Sequence, residues 1–393
     1  MSGSRAWHVI TGEYPPQIGG VSDYTYSVVK GLAAEREEVH VWCPLASHTA
    51  VKCPGVTVHS ELGQASGTDL RNLDQALERF PGPRQILVEW VPHAFGFRSM
   101  NVRFCLWLWR RVARCGDHVD LMVHEPFLSF GEGSWRQDAV AVVHRFMTMV
   151  LLRAASRVWV SIPSWERLWR PYTLGRKVPF QWLPIPSNIA VAEDPAGVRA
   201  LRKQYAPEGE LIIGNFGMYG PTVERTWGPI LSALEARPFP GRLLLIGTGS
   251  EECRNMIARK APSLSSRVCA TGPLAAAELS CHLSACDLFV QPYPDGVSSR
   301  RTSFMAGLSH GKPIVTTSGP ATEPLWAESG AVVLVPRGVP GAFVDSFERL
   351  CADEQERLRM GNAARRLYQE RFDLRHVIAR LRQVENRETT CAY

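Results

Sequence analysis

The chain has 393 residues, 45% of them hydrophobic and 21% charged, with a net charge of +6. That length suits two domains better than one core, and the mild positive excess permits anionic partners without a nucleic-acid motif or basic tail to receive DNA or RNA. Ten cysteines without CxxC or zinc spacing, no signal-peptide core and no apolar run near the ~20 residues of a membrane span lead us to expect free thiols and a cytoplasmic protein.

AWHVI (6–10) reads as a strand, followed by the loop EYPPQIGGVSDYT (13–25) and a helix over 23–35. Next come a strand at 39–44, a helix at 69–80, the strand ILVEWV (86–91), and a helix at 101–114. The strand DLMVHE (120–125), a helix near 138–155 and the strand RVWVSI (157–162) complete the first half. LPIPSNI (183–189), with two prolines, reads as an interdomain linker. The alternation then restarts: strands at 211–220, 243–250, 267–272, 287–293, 312–317 and 331–336, and charged helices from 343 to 386. Strand–helix alternation of this kind predicts two doubly wound parallel sheets, an α/β protein of two Rossmann-like domains. Ligands of such sheets sit beyond the carboxyl ends of the strands, so the cleft between the domains is the expected site.

The most informative stretch is PDGVSSRRTSFMAGLSHGKPIVTT, 294–317. A tight turn leads through Gly296, Val297, Ser298 and Ser299 to the pair Arg300 and Arg301, then into a helix opening with Thr302 and Ser303. Unpaired N–H groups and the positive dipole end of that helix, beside two guanidiniums, predict a phosphate site. Asp295 suits the hydroxyls of a sugar. Phosphate and sugar together point to a nucleotide-sugar. In the first loop, Gly19 and Gly20 allow close backbone approach to a ligand, and Ser22 or Asp23 can cap the next helix. The loop is not GxGxxG, which disfavours a dinucleotide. After the third strand, Trp90, His93 and Phe95 can shape an acceptor pocket, because rings stack on sugar faces; core packing explains them equally well. The helix at 101–115 mixes Trp107 and Trp109 with Arg110, Arg111 and Arg114, either a buried face with a solvated edge or a surface resting on a membrane.

These pieces, in this order, resemble the family 4 glycosyltransferases of GT-B architecture over nearly the whole chain. The resemblance rests on EYPPQIGGVSDYT, VHEP (123–126), RAASRVWVSIPSWERL (153–168), FGMYG, LLLIGTGS and DLFVQPYPDGVSSRRTSFMAGLSHGKPIVTT. It implies metal-independent transfer of a sugar from a nucleoside diphosphate to an acceptor with retention at the anomeric carbon. It also implies an acceptor-side domain over 1–186, a donor domain over 187–372, and a C-terminal helix (373–393) packing back on the first. His124 falls where the family places a histidine facing the donor sugar. Two family glutamates are replaced, by Asp295 and by Ser303, and the Arg-Lys pair that follows FG is reduced to Arg225. Arg300 and Arg301 are therefore expected to take over part of the diphosphate's neutralisation.

No cofactor beyond the donor is expected; the acceptor is a glycan, a lipid-linked group or a small molecule. A peripheral contact with the inner membrane face stays open. So do two other readings: a nucleotide-sugar-binding protein without activity, kept alive by Ser303, and a nucleotide-sugar epimerase, for which no acid/base carboxylate pair is visible.

Overall fold

The computed structural model describes residues 6–44, 49–95, 97–131, 133–220, 223–235, 237 and 241–383. The chain forms two compact units. The first runs to Pro184 and takes back the chain from Leu374; the second is the continuous stretch Ile185–Asp373. Residues 384–393 of the expected C-terminal helix lie outside the described residues.

Unit 1 is built on β1 (Trp7–Thr11), α1 (Gly20–Ala34), β2 (Val39–Trp42), β3 (Val56–His59), α2 (Gly67–Leu77) and β4 (Gln85–Trp90). It continues through α3 (Val102–Cys115), β5 (His118–Val123), α4 (Trp135–Ala154), β6 (Arg157–Val160), α5 (Ser164–Trp169) and β7 (Phe180–Trp182). The strands pair in the order β3-β2-β1-β4-β5-β6-β7, all parallel. Their β-branched and aliphatic runs are buried on both faces in the central strands, as helix-covered parallel sheets require. Local chemistry sets the helix starts: Ser66 and Asp69 form a reciprocal capping box on α2, and Ser134 and Gln137 do so on α4.

Unit 2 contains α6 (Pro195–Tyr205), β8 (Leu211–Phe216), α7 (Val223–Glu235), β9 (Gly241–Ile246), α8 (Ser250–Lys260), β10 (Val268–Ala270) and α9 (Ala276–Ala285). After them come β11 (Leu288–Gln291), α10 (Thr302–Ser309), β12 (Ile314–Ser318), α11 (Leu325–Glu328), β13 (Val332–Pro336), α12 (Pro340–Ala352) and α13 (Glu354–Arg371). The parallel order is β10-β9-β8-β11-β12-β13. Ile213, Leu245, Leu288 and Val315 from the sheet pack with Trp227, Ile257 and Phe347 from its helices in one core.

Helix α14 (Leu374–Arg382) belongs to unit 1. Its Val377, Ile378 and Leu381 are buried, and Gly31 of α1 makes the approach possible, since a Cβ there would meet Ile378 at 2.7 Å. Arg382 reaches Glu37 at 2.8 Å and Glu35 at 2.7 Å, while Arg380 donates to the Trp182 carbonyl at 2.6 Å. The expected linker is pinned near its start. Leu183 N–H donates to the Val160 carbonyl at 2.9 Å and Ile185 N–H to the Ser299 carbonyl at 3.0 Å.

Candidate active site

Strand order reverses between β1 and β4 in unit 1 and between β8 and β11 in unit 2, and ligands of open α/β sheets collect beyond the strand ends at such points. The first glycine loop leaves β1, and the 292–301 loop leaves β11. Both expected motifs therefore stand at a switch point, each in its own unit.

In unit 2 the loop is held from beneath. Val297 N–H donates to the Thr317 carbonyl at 2.8 Å, and Ala321 N–H to the Asp295 carbonyl at 3.1 Å. Gly296 sits at φ +87, where a Cβ would also strike Gly319 N at 2.3 Å, so both the backbone angle and the space demand glycine. Buried Glu323 accepts from Ser299 N–H at 2.9 Å, from Ser299 Oγ at 2.5 Å and from Trp326 Nε1 at 2.6 Å. Burial pushes the Glu323 carboxyl above its ordinary range, with the Ser299 and Trp326 hydrogen bonds opposing.

This corrects part of the sequence reading. Val297, Ser298 and Ser299 are fully buried, and the Ser299 hydroxyl is committed to Glu323. Ser299 thus braces the loop, Val297 packs beneath it, and the Ser298 hydroxyl is buried without a hydrogen-bond partner among the described residues. What the loop does present is a cluster of charge. Asp295 accepts from Arg300 at 3.1 Å and also pairs with Arg301, whose guanidinium lies 4.9 Å from the Tyr293 ring centre. All three charged side chains stay partly exposed, Asp295 at 38% and the arginines at 25% and 26%. Burial alone would raise the Asp295 carboxyl, but Arg301 and Arg300 outweigh it and hold it below the usual range. Helix α10 begins at Thr302 with no side-chain cap, so its first N–H groups await an acceptor. Ser303 shares a 2.9 Å hydrogen bond with the Tyr293 hydroxyl, whose pKa burial pushes up to about 12.

Arg225 stands exposed in the first turn of α7, in a groove with Gly228, Pro229, Ser232 and Lys260. It makes no hydrogen bond or ion pair among the described residues, and nothing ties it to the 295–303 cluster.

In unit 1 the helix after the first loop starts at Gly20, three residues earlier than expected, so Ser22 and Asp23 lie inside it and neither caps it. Gly19 takes the N-cap position without a side-chain bond, and a Cβ there would meet Glu13 Oε2 at 2.7 Å. The Glu13 side chain could swing aside, but Gly12 is necessary: a Cβ there would lie 2.2 Å from the Ala94 carbonyl oxygen, where the loops after β1 and β4 touch.

Strand β5 ends at Val123, and His124 follows it, 8% exposed. Its Nε2 meets Glu89 Oε2 at 2.6 Å, and Tyr24 packs edge-on at 4.8 Å between ring centres. Glu89, fully buried in β4, leaves Oε1 without a hydrogen-bond partner. Sequence reasoning missed this carboxylate, although an acid inside the apolar run ILVEWV was the available signal. Trp90 is a second correction. It is 1% exposed and stacks on Phe95 and Phe104 at 5.4 and 6.3 Å, so it is core and not an acceptor platform. His93 does stand at the surface, with Nδ1 3.5 Å from Glu125.

Two Rossmann-like units with these sheet orders are the GT-B fold, and comparison with known proteins agrees. Residues 226–353 match the family model for group 1 glycosyl transferases. No protein of curated function matches the chain in sequence. Among solved structures the chain is similar to sucrose-phosphate synthase (tll1590) from Thermosynechococcus elongatus, with TM-score 0.74 and 16% identity over 99% of this chain and 100% of that one. It is also similar to Anabaena Alr3699/HepE in complex with UDP, with TM-score 0.70 and 16% identity over 97% and 99%. A third is WaaG, a glycosyltransferase involved in lipopolysaccharide biosynthesis, with TM-score 0.65 and 14% identity over 95% and 98%. The group 1 match spans the whole 295–303 cluster. Among the described residues no helix is long and apolar enough to cross a membrane.

Proposed function

We propose that the chain is a retaining glycosyltransferase of family 4, moving a sugar from a nucleoside diphosphate to a glycan, lipid-linked or small-molecule acceptor. The observation that carries this reading is the Asp295–Arg300–Arg301 cluster at the uncapped start of α10, beside the switch point of unit 2. On this reading the diphosphate replaces the Asp295 carboxylate as partner of the guanidiniums and takes the N–H groups of α10. Asp295, freed, accepts from donor-sugar hydroxyls. The acceptor oxygen attacks the anomeric carbon on the face from which the diphosphate departs. The bond from that carbon to the phosphate oxygen breaks, and the leaving oxygen takes the acceptor's proton. No covalent nucleophile and no metal enter this scheme; the protein supplies position and positive potential. His124, held by Glu89, hydrogen-bonds the sugar as positive charge develops on its ring, and Gly19 and Gly20 admit the donor closely.

A panel of UDP-, GDP-, ADP- and dTDP-sugars tests the scheme, beginning with UDP-glucose because HepE has been crystallised with it. Replacing Arg300 and Arg301 by Ala should each weaken donor binding about 10- to 100-fold, as loss of a charge-assisted hydrogen bond of about 1.5–3 kcal/mol implies. Undiminished donor affinity in the double variant, with its fold intact, refutes the assignment. Product analysis separates the rivals: transferred sugar supports the proposal, whereas an epimerised donor or binding without turnover favours the other two readings.

A further inference from the structure

Unit 1 carries a basic groove that plays no part in the chemistry above. It lies between α2 and α3, has a volume of about 280 Å³, and is lined by Leu70, Arg71 and Asp74 on one side and Arg103, Trp107 and Arg110 on the other. Arg111 and Arg114 line it as well. The spacing on α3 explains the shape: Arg103, Trp107, Arg110 and Arg114 follow at four, three and four residues, one stripe of a helix. That stripe is about 16 Å long at the helical rise.

Much of the charge here is already balanced. Arg84 and Arg111 both bind buried Asp117, at 3.2 and 2.8 Å; Arg111 also reaches Asp74 at 2.6 Å, and Arg114 pairs with Asp74 and with Glu78. Three guanidiniums thus meet three carboxylates. Arg71, Arg103 and Arg110 are left over. Arg71 donates only to the Thr68 hydroxyl at 3.1 Å, and the other two have no hydrogen-bond or ion-pair partner among the described residues.

A second, independent observation points to a ligand. Arg111 is 1% exposed, yet its Nη2 is buried without an acceptor, and Trp107 Nε1 is in the same condition. A guanidinium N–H withdrawn from water and left unbonded is costly, and an anion in the groove would relieve it. The surplus cations supply attraction, and Leu70 with the Trp107 ring offers an apolar wall.

We propose that the α2–α3 groove binds a phosphate group, held by Arg71, Arg103, Arg110 and the buried Arg111. The carrier is either a soluble phosphoester or the head of an anionic lipid, since both present the same oxygens. Titration of pyrophosphate into the R300A/R301A variant isolates this groove from the donor cluster, so each can fail separately. Saturable binding is expected, weakened at least tenfold when R103A/R110A is added; both positions are exposed, so the fold should survive. Co-sedimentation with phosphatidylglycerol but not phosphatidylcholine vesicles, displaced by pyrophosphate, identifies the lipid source. Pyrophosphate binding without vesicle capture identifies the soluble one. Absence of pyrophosphate binding in R300A/R301A, or binding indifferent to R103A/R110A, overturns the proposal.

Discussion

Glu89 in β4 and His124, just past the end of β5, meet in a space almost closed to water. The carboxylate keeps one oxygen on the imidazole and one unbonded, an arrangement that fixes the ring's orientation at the cost of a buried polar atom. Glu89→Gln preserves volume and removes the charge. If His124 serves the developing positive charge of the donor sugar, kcat should fall about 10- to 100-fold with donor KM nearly unchanged, as loss of a transition-state interaction implies. Steady-state kinetics decide it, and an unaltered kcat would reduce the pair to a structural one. At this scale the sequence was partly legible. The arginine pair before a helix start could be read from the residues, whereas His124 stood out only through the family resemblance. The inward turn of Ser299 could not, because Glu323, its partner, lies 24 residues further on with nothing around it to mark it. Trp90 was ambiguous for a simpler reason: a tryptophan closing a strand looks the same in sequence whether it faces core or solvent.

At the scale of elements, the loop before α10 depends on a buried support more than on its own residues. Glu323 holds Ser299 by backbone and side chain and anchors Trp326 as well, so one carboxylate ties this loop to α11. Glu323→Ala leaves the Ser299 and Trp326 donors buried without acceptors, at about 1–3 kcal/mol for each. Chemical denaturation should therefore show a loss of several kcal/mol, accompanied by weaker donor binding although no donor contact was removed. A variant as stable as the parent would show that water or rearrangement satisfies those groups. Elements themselves were readable where they were long or central. β3 and β7, edge strands of four and three residues that are only half buried, escaped notice because too few alternating positions exist to reveal a period.

Across the whole molecule, the division into two sheets followed from strand–helix alternation, but the strand orders did not. They depend on which crossover each helix makes, and periodicity is silent about that. Unit 1 is discontinuous in sequence, closed by a helix that arrives after all of unit 2. Ile378→Ala should lower the stability of unit 1 by about 2–5 kcal/mol, the usual result of emptying a buried aliphatic site. Ten of the twelve tryptophans precede residue 190, so the fluorescence midpoint reports this unit, and an unmoved midpoint would mean that α14 is not part of its cooperative fold. The same arrangement bears on biosynthesis. As the nascent chain leaves the ribosome, the later-made unit has every residue it needs before the earlier one does, and the amino-terminal sheet must wait with the contact surface around Gly31 bare until the last turns emerge.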